Sequence, residues 1–364
     1  AALLPFVNHR ADLTYIIGEM IGELSIGHAY VNSGEKPEPE RINLGLLGAK
    51  ISKHSSGYFQ IDQILDGTSW NSDIHSPLQE VGINVTKGNF ILAVDGKDLK
   101  DVNDIYRTLI GKANKTVELT VNTKPELAGS RKVLVKPIAD ESSLYYFDWV
   151  QSNIKKVSDA TNGEVGYIHI PDMGVEGLNK FVKYFYPQLN KKALIIDDRG
   201  NGGGNVSPMI LERLSRIVYR QTMSRGATHA GKIPSETQYG PKVLLINQYS
   251  ASDGDLFPYG FKRLALGPVI GMRSWGGVVG ISGSLPFVDG GDLRKPEYAS
   301  FSSDTSDWII EGHGVDPDIT IDNDPYKEYI GIDDQLIKAI EVIKEKLKDY
   351  KELPQIPNAP DKSK

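Results

Sequence analysis

Residues 193–204 read Ala193-Leu194-Ile195-Ile196-Asp197-Asp198-Arg199-Gly200-Asn201-Gly202-Gly203-Gly204. An apolar, β-branched run that ends in a charged, glycine-rich loop is the pattern of a buried strand opening at its carboxyl end. The same texture recurs on both sides. Val165–Ile170 and Val243–Asn247 are further strand-length runs, while Leu178–Tyr186 and Leu256–Leu266 repeat at helical spacing. Strands alternating with helices predict a largely parallel sheet whose binding loops gather at the strand carboxyl ends. An amphipathic helix from about Asp334 to Tyr350 follows, then a polar, Pro-containing tail.

Upstream, Leu13, Ile16, Ile17, Met20, Ile21 and Leu24 recur at helical spacing behind Asp12, which is expected to cap the helix. A polar, Pro-rich stretch from Asn32 to Glu40 reads as a linker or exposed loop. From Leu44 to Ile138 the chain turns to short strands: Gly57–Ile61, Asn89–Val94 ahead of an Asp95-Gly96 hairpin signal, Val117–Val121 and Lys132–Lys136. A short helix is expected over Val102–Ile110. The chain thus divides into residues 1–43, 44–138 and 139–364, a multidomain α/β protein.

At 364 residues there is room for two or three domains, and 40% hydrophobic with 24% charged residues is an ordinary globular balance. Lys and Arg total 41 against 47 Asp and Glu, a net charge of -6 with no basic block, which argues against nucleic acid as the main partner. The absence of cysteine excludes disulfides, thiolate zinc sites and a cysteine nucleophile. No run approaches the roughly 18–20 apolar residues of a membrane-spanning helix, so no membrane insertion is expected. The start at Ala1, without an initiator Met, reads as a mature or excised beginning.

Three loops carry candidate chemistry. Consecutive glycines at 202–204 let backbone N–H groups approach a bound oxyanion closely, or serve as a flexible strand-to-helix turn; the Gly-Lys-Ser/Thr ending of a phosphate loop is missing. In Asn247-Gln248-Tyr249-Ser250-Ala251-Ser252-Asp253-Gly254-Asp255, Ser252 is either an exposed nucleophile against a helix N-terminus or, with Asp255, an ordinary capping box. In Trp308-Ile309-Ile310-Glu311-Gly312-His313, Glu311 is a carboxylate entering an apolar neighbourhood, or a solvated strand end. The seven histidines (His9, His28, His54, His75, His169, His229, His313) form no metal-ligand spacing, and spacing does not choose a base among them.

Two resemblances join these pieces. The stretch "VTKGNFILAVDGKDL" with its flanking strands resembles a PDZ domain, a module that binds extended peptide ends. "IDDRGNGGGNVS", "NQYSASDGD" and "WIIEGHGVDPD", behind that unit and "GEMIGELSIGHAY", resemble the tricorn protease core, a branch of the tail-specific (C-terminal processing) serine peptidases. The resemblance implies a helical N-terminal core segment, a PDZ domain and a crotonase-like α/β catalytic domain. It carries the nucleophile to Ser252, the general base to His28 and the acid to Glu311. The oxyanion hole falls on Gly203 and the Asp253 N–H, with Gly202 and Gly204 beside the substrate. The activity implied is peptide hydrolysis through an acyl-enzyme, with peptide substrates, no cofactor, no metal and association into a homo-oligomer.

The PDZ-like unit is expected to gate or orient substrate. Tricorn's β-propellers have no counterpart in this sequence, which is either an excised core or a homologue lacking them. The resemblance implies a cytoplasmic protein, although the absence of cysteine is equally compatible with a periplasm or secretion. The rival readings are a non-catalytic PDZ-containing peptide-binding scaffold and a crotonase-like acyl hydrolase.

The Ser-Lys dyad of the bacterial tail-specific branch is disfavoured, because Gly271–Gly277 holds no lysine and Lys262 is poorly placed. Two departures stand out. Gly27 replaces the serine that precedes the base in tricorn-like chains and links it to the glutamate, which leaves the link to a water, to Ser25, or unmade. Arg216–Gly231 has four basic or histidine residues and no acid, so tricorn's preference for a basic residue before the cut does not carry over.

Overall fold

The computed structural model describes residues 2–36, 38–68, 71, 74–358 and 361–363. They form two compact units, one of residues 38–153 and one of residues 1–37 with 154–364.

The chain opens with helix α1 (Arg10–Gly22) and strand β1 (Tyr30–Asn32). α1 begins two residues before Asp12. His9 is the cap, and the Asp12 carboxylate accepts the Asn8 and His9 N–H groups at 2.9 and 3.3 Å, which corrects the expected start. None of its residues is buried, despite the apolar spacing that predicts it.

In the unit of residues 38–153, β2 (Ala49–Lys53), β3 (Phe59–Ile64), β4 (Phe90–Val94), β6 (Val117–Asn122) and β7 (Arg131–Val135) form an antiparallel sheet in that order. The two-residue β5 (Lys97–Asp98) pairs with β4. Asp95 and Gly96, at φ 49° and 77°, make the β4–β5 turn, the left-handed pair that a tight hairpin needs. Ile61, Ile91, Leu92, Leu109, Val117 and Leu119 fill its core. The helix expected over 102–110 is only a 3₁₀ turn, Ile105–Thr108, started by Asp104 accepting the Tyr106 N–H at 2.9 Å. Helix α2 (Ser142–Ala160), which the sequence reading missed, runs across the division between the units.

The other unit is built on a parallel five-stranded sheet in the order β16-β13-β12-β9-β8. Its strands are β8 (Val165–His169), β9 (Ala193–Asp197), β12 (Lys242–Ile246), β13 (Val269–Gly271) and β16 (Ile319–Thr320). β8, β9, β12 and β13 are buried throughout, because helices cover both faces. Ile168, Leu194, Ile196, Leu244 and Ile246 pack with α3 (Val175–Phe185), α4 (Ser207–Leu214) and α5 (Asp253–Arg263). Tyr167, Ile195, Val243 and Leu245 face the other way, onto Val157 and helix α7 (Asp334–Leu347). A small antiparallel sheet pairs β1 with β15 (Asp292–Arg294), which pairs in turn with β14 (Ser284–Pro286). Tyr30 opposite Arg294 therefore anchors the N-terminal segment within this unit. A hairpin, β10 (Arg220–Thr222) with β11 (Gly231–Ile233), and the short helix α6 (Pro325–Tyr329) complete it.

At the carboxyl end of β9, Arg199 locks the loop to α7. Its guanidinium meets Asp197 at 2.9 and 2.6 Å and Asp333, the α7 cap, at 2.9 Å twice. Burial pushes the Asp197 carboxyl up, and Arg199 more than reverses it, leaving Asp197 below its ordinary value. Removing one side of a buried ion pair strands the other. Arg199→Met is expected to cost about 3–5 kcal/mol, read from the shift in denaturant midpoint.

Candidate active site

Ser252 sits at the β12–α5 turn with φ 59° and ψ −118°, a backbone angle rare for a side-chain-bearing residue. It closes a capping box as the spacing expects: Asp255 accepts the Ser252 N–H at 2.8 Å. The hydroxyl has a second neighbour. Ser252 Oγ lies 3.1 Å from His28 Nε2, so the structure brings together residues from opposite ends of the chain.

His28 lies between α1 and β1 and is only 8% exposed. Burial lowers its pKa below 6.5, against the opposing pull of Glu311. Its Nδ1 is buried and has no hydrogen-bond partner among the described residues, so Ser25 does not supply the missing link. Trp275 and Tyr30 meet the imidazole edge-on, at centroid distances of 5.7 and 6.1 Å.

Glu311 is neither strand nor solvated end. It occupies a turn after Ile310, whose φ is 45°, and its carboxylate accepts Val278 and Val279 N–H at 2.6 and 2.8 Å and Gly27 N–H at 3.4 Å. This is the partner expected of a carboxylate after two isoleucines. His313 turns instead to Asp316 at 2.7 Å, and Lys262 is taken up by Asp318 at 2.7 Å.

The glycine loop lies against the Ser252 turn. A Cβ on Gly203 would fall 2.5 Å from Ser252 Cβ and 2.9 Å from Asp253 N, and Gly203 has φ 96°. The Gly203 N–H donates to Asn201 Oδ1 at 2.9 Å. Asp253 is the first residue of α5, so its N–H has no intrahelical acceptor, while its carboxylate takes Ser207 N–H at 2.9 Å. Gly202 has open space beside it, and Gly204 bridges to Met173.

Sequence reasoning missed Asn201, which is fully buried. Its side-chain amide donates to Asp198 at 2.8 Å and to Ile170 O at 3.1 Å, and its main-chain carbonyl accepts the Ala251 N–H at 2.8 Å, tying the glycine loop to the Ser252 turn. Asp198 is buried with it, and burial together with Asp197 raises its carboxyl well above the ordinary range. The spacing makes Asp255 a helix cap. It also accepts Gly276 N–H at 2.8 Å and Gly277 N–H at 3.3 Å. An asparagine and an aspartate beside glycines in two candidate loops were the available signals.

Residues 45–140 match the tricorn protease PDZ domain, and residues 164–321 match peptidase family S41. The chain is 38% identical over 349 residues to the tricorn protease of Thermoplasma volcanium, covering 95% of this chain and 33% of that one. It is 36% identical over 330 residues to tricorn protease homolog 1 of Streptomyces coelicolor, covering 90% and 30%. A crystal structure of the tricorn protease superposes with a TM-score of 0.86 at 32% identity, over 95% of this chain and 33% of that one. The chain therefore spans about a third of the length of the curated relatives it matches. A tricorn-type PDZ domain ahead of an S41 peptidase domain, with tricorn proteases matching along nearly the whole chain, makes this chain similar to the tricorn branch of peptidase family S41.

Proposed function

We propose that the chain is a serine peptidase that cuts peptides through an acyl-enzyme on Ser252. The observation that carries this reading is the 3.1 Å approach of His28 Nε2 to Ser252 Oγ, at a helix start whose first N–H has no intrahelical acceptor. His28 Nε2 takes the Ser252 proton as Oγ attacks the scissile carbonyl. The oxyanion is received by the Asp253 N–H and by the Gly203 N–H, which shares its hydrogen with Asn201 Oδ1. His28 then hands the proton to the leaving amine, and a water deprotonated by His28 hydrolyses the ester. Glu311 favours the imidazolium through its field; Gly202 leaves room for the substrate backbone, while the space a Cβ on Gly204 would need is taken by the Met173 carbonyl, so the role beside the substrate falls to Gly202. Peptides are the substrates, and the chain associates into a homo-oligomer, which sedimentation would read. Among the described residues, no helix is long and apolar enough to cross a membrane.

The test is digestion of a mixed peptide library, followed by a pH profile on the best substrate. Since burial lowers the His28 pKa, the base is neutral down to a pH below the ordinary histidine value of 6.5. The acid limb of kcat/KM is therefore expected below that value, with activity rising as pH increases through it. Intact peptides at every pH, or an acid limb above 6.5, would contradict the reading.

A further inference from the structure

His28 lacks the support expected of a catalytic base. Its Nδ1 is buried with no hydrogen-bond partner among the described residues, and residue 27 has no side chain to reach it. What the imidazole meets is aromatic, chiefly the Trp275 ring in a T-shaped contact at 5.7 Å and 78°. Trp275 in turn occupies space left by two glycines. A Cβ on Gly27 would lie 3.2 Å from Trp275 Cη2 and 3.0 Å from Gly277 Cα, and a Cβ on Gly277 would fall 2.1 Å from Trp275 Cζ3.

The segment that carries the indole is pinned along its length. Trp275 N–H donates to Ser250 O at 2.9 Å, Gly276 N–H to Asp255 at 2.8 Å and Val278 N–H to Glu311 at 2.6 Å. It is thus tied to the turn that presents Ser252, to the helix that follows and to the acid. The indole is 45% exposed, so replacing it does not open a core.

Resting on the roles of Ser252 and His28 above, we propose that Trp275 is a positioning residue for the base. Lodged over Gly27 and Gly277, the indole fixes the plane of the imidazole so that Nε2 faces Ser252, in place of a hydrogen bond to Nδ1. The ring torsion of histidine is intrinsically broad, and a neighbouring ring edge narrows it sterically. Gly27 is the complement of the indole rather than a gap in a relay. Glu311 is the charged group whose field reaches the ring, and Tyr30 is the other ionisable side chain beside it.

Trp275→Ala is expected to lower kcat about tenfold or more with KM changed less, as small misplacements of a catalytic group do. It is also expected to raise the His28 titration, followed by NMR with His28→Gln as the assignment control, because the ring gains water. Gly27→Ser with Trp275 in place is expected to lower kcat, since the new Cβ meets the indole. Added to Trp275→Ala, the same change is expected to restore part of the loss, because the hydroxyl gains room to approach Nδ1. An unchanged kcat and His28 titration in Trp275→Ala would overturn the proposal. So would a Gly27→Ser chain more active than the unaltered one. The titration separates this from failure of the peptidase reading: in a chain that cuts no peptide, an upward shift still supports the indole's hold on the ring, and an unchanged titration overturns it.

Discussion

Ser252→Ala is expected to remove peptide hydrolysis by about three to six orders of magnitude, with His28→Ala falling to the same floor. The two groups act as one device, since the hydroxyl is a weak nucleophile until Nε2, 3.1 Å away, takes its proton. The double variant should therefore be no slower than either single one, and initial rates on one peptide read by mass spectrometry check this. Folding is a separate matter. Ser252 also caps α5, so alanine should cost only about 1 kcal/mol of stability. A large loss of rate with a small shift in denaturant midpoint is the expected signature. Equal losses of both would point to a serine that serves the helix alone.

Gly203→Ala is the second variant with a large expected effect. The residue has φ 96°, and its Cβ would stand 2.5 Å from Ser252 Cβ and 2.7 Å from Ala251 O, atoms of the turn that presents the nucleophile. Neither side can yield without moving the serine or the loop that faces it. Strain of this kind costs about 1–3 kcal/mol, and displacement of a reacting group by an ångström costs roughly a hundredfold in rate. Gly203→Ala is therefore expected to lose at least that factor in kcat and to unfold at lower denaturant. Gly22→Ala, with open space beside it at the end of α1, is the control expected to change neither.

The parallel sheet was legible because its strands are buried on both faces, so Val165–Ile170, Ala193–Asp197 and Val243–Asn247 announce themselves by composition alone. Ser252 was legible only as a serine at a strand-to-helix turn, nucleophile or helix cap, and the resemblance alone chose between them. Its partner was another matter. Composition and spacing do not distinguish His28 from six other histidines, and only the resemblance singled it out; the encounter depends on β1 pairing with β15 far along the chain.

Local signals also misplaced Asp12, where a reciprocal box puts the acid inside the helix rather than at its cap. They overestimated the helix at 102–110, where only one 3₁₀ turn forms. Helix α2 went unread although Val150, Asn153 and Val157 are buried along it at i, i+3 and i+7. Trp275 carries no sequence signal of its own, and Gly27 stands out only as a departure from the resemblance. Their relation exists only once the segment after β13 is folded beside residue 27, and it turns an apparent defect into a fitted contact.

The most direct test of the central claim is the site of covalent capture by a serine-reactive peptidyl fluorophosphonate, located by mass spectrometry of the digested protein. The account predicts one adduct, on Ser252, lost in Ser252→Ala and greatly slowed in His28→Ala. An adduct on another residue, or peptide cleavage that persists while Ser252 remains unmodified, would contradict it.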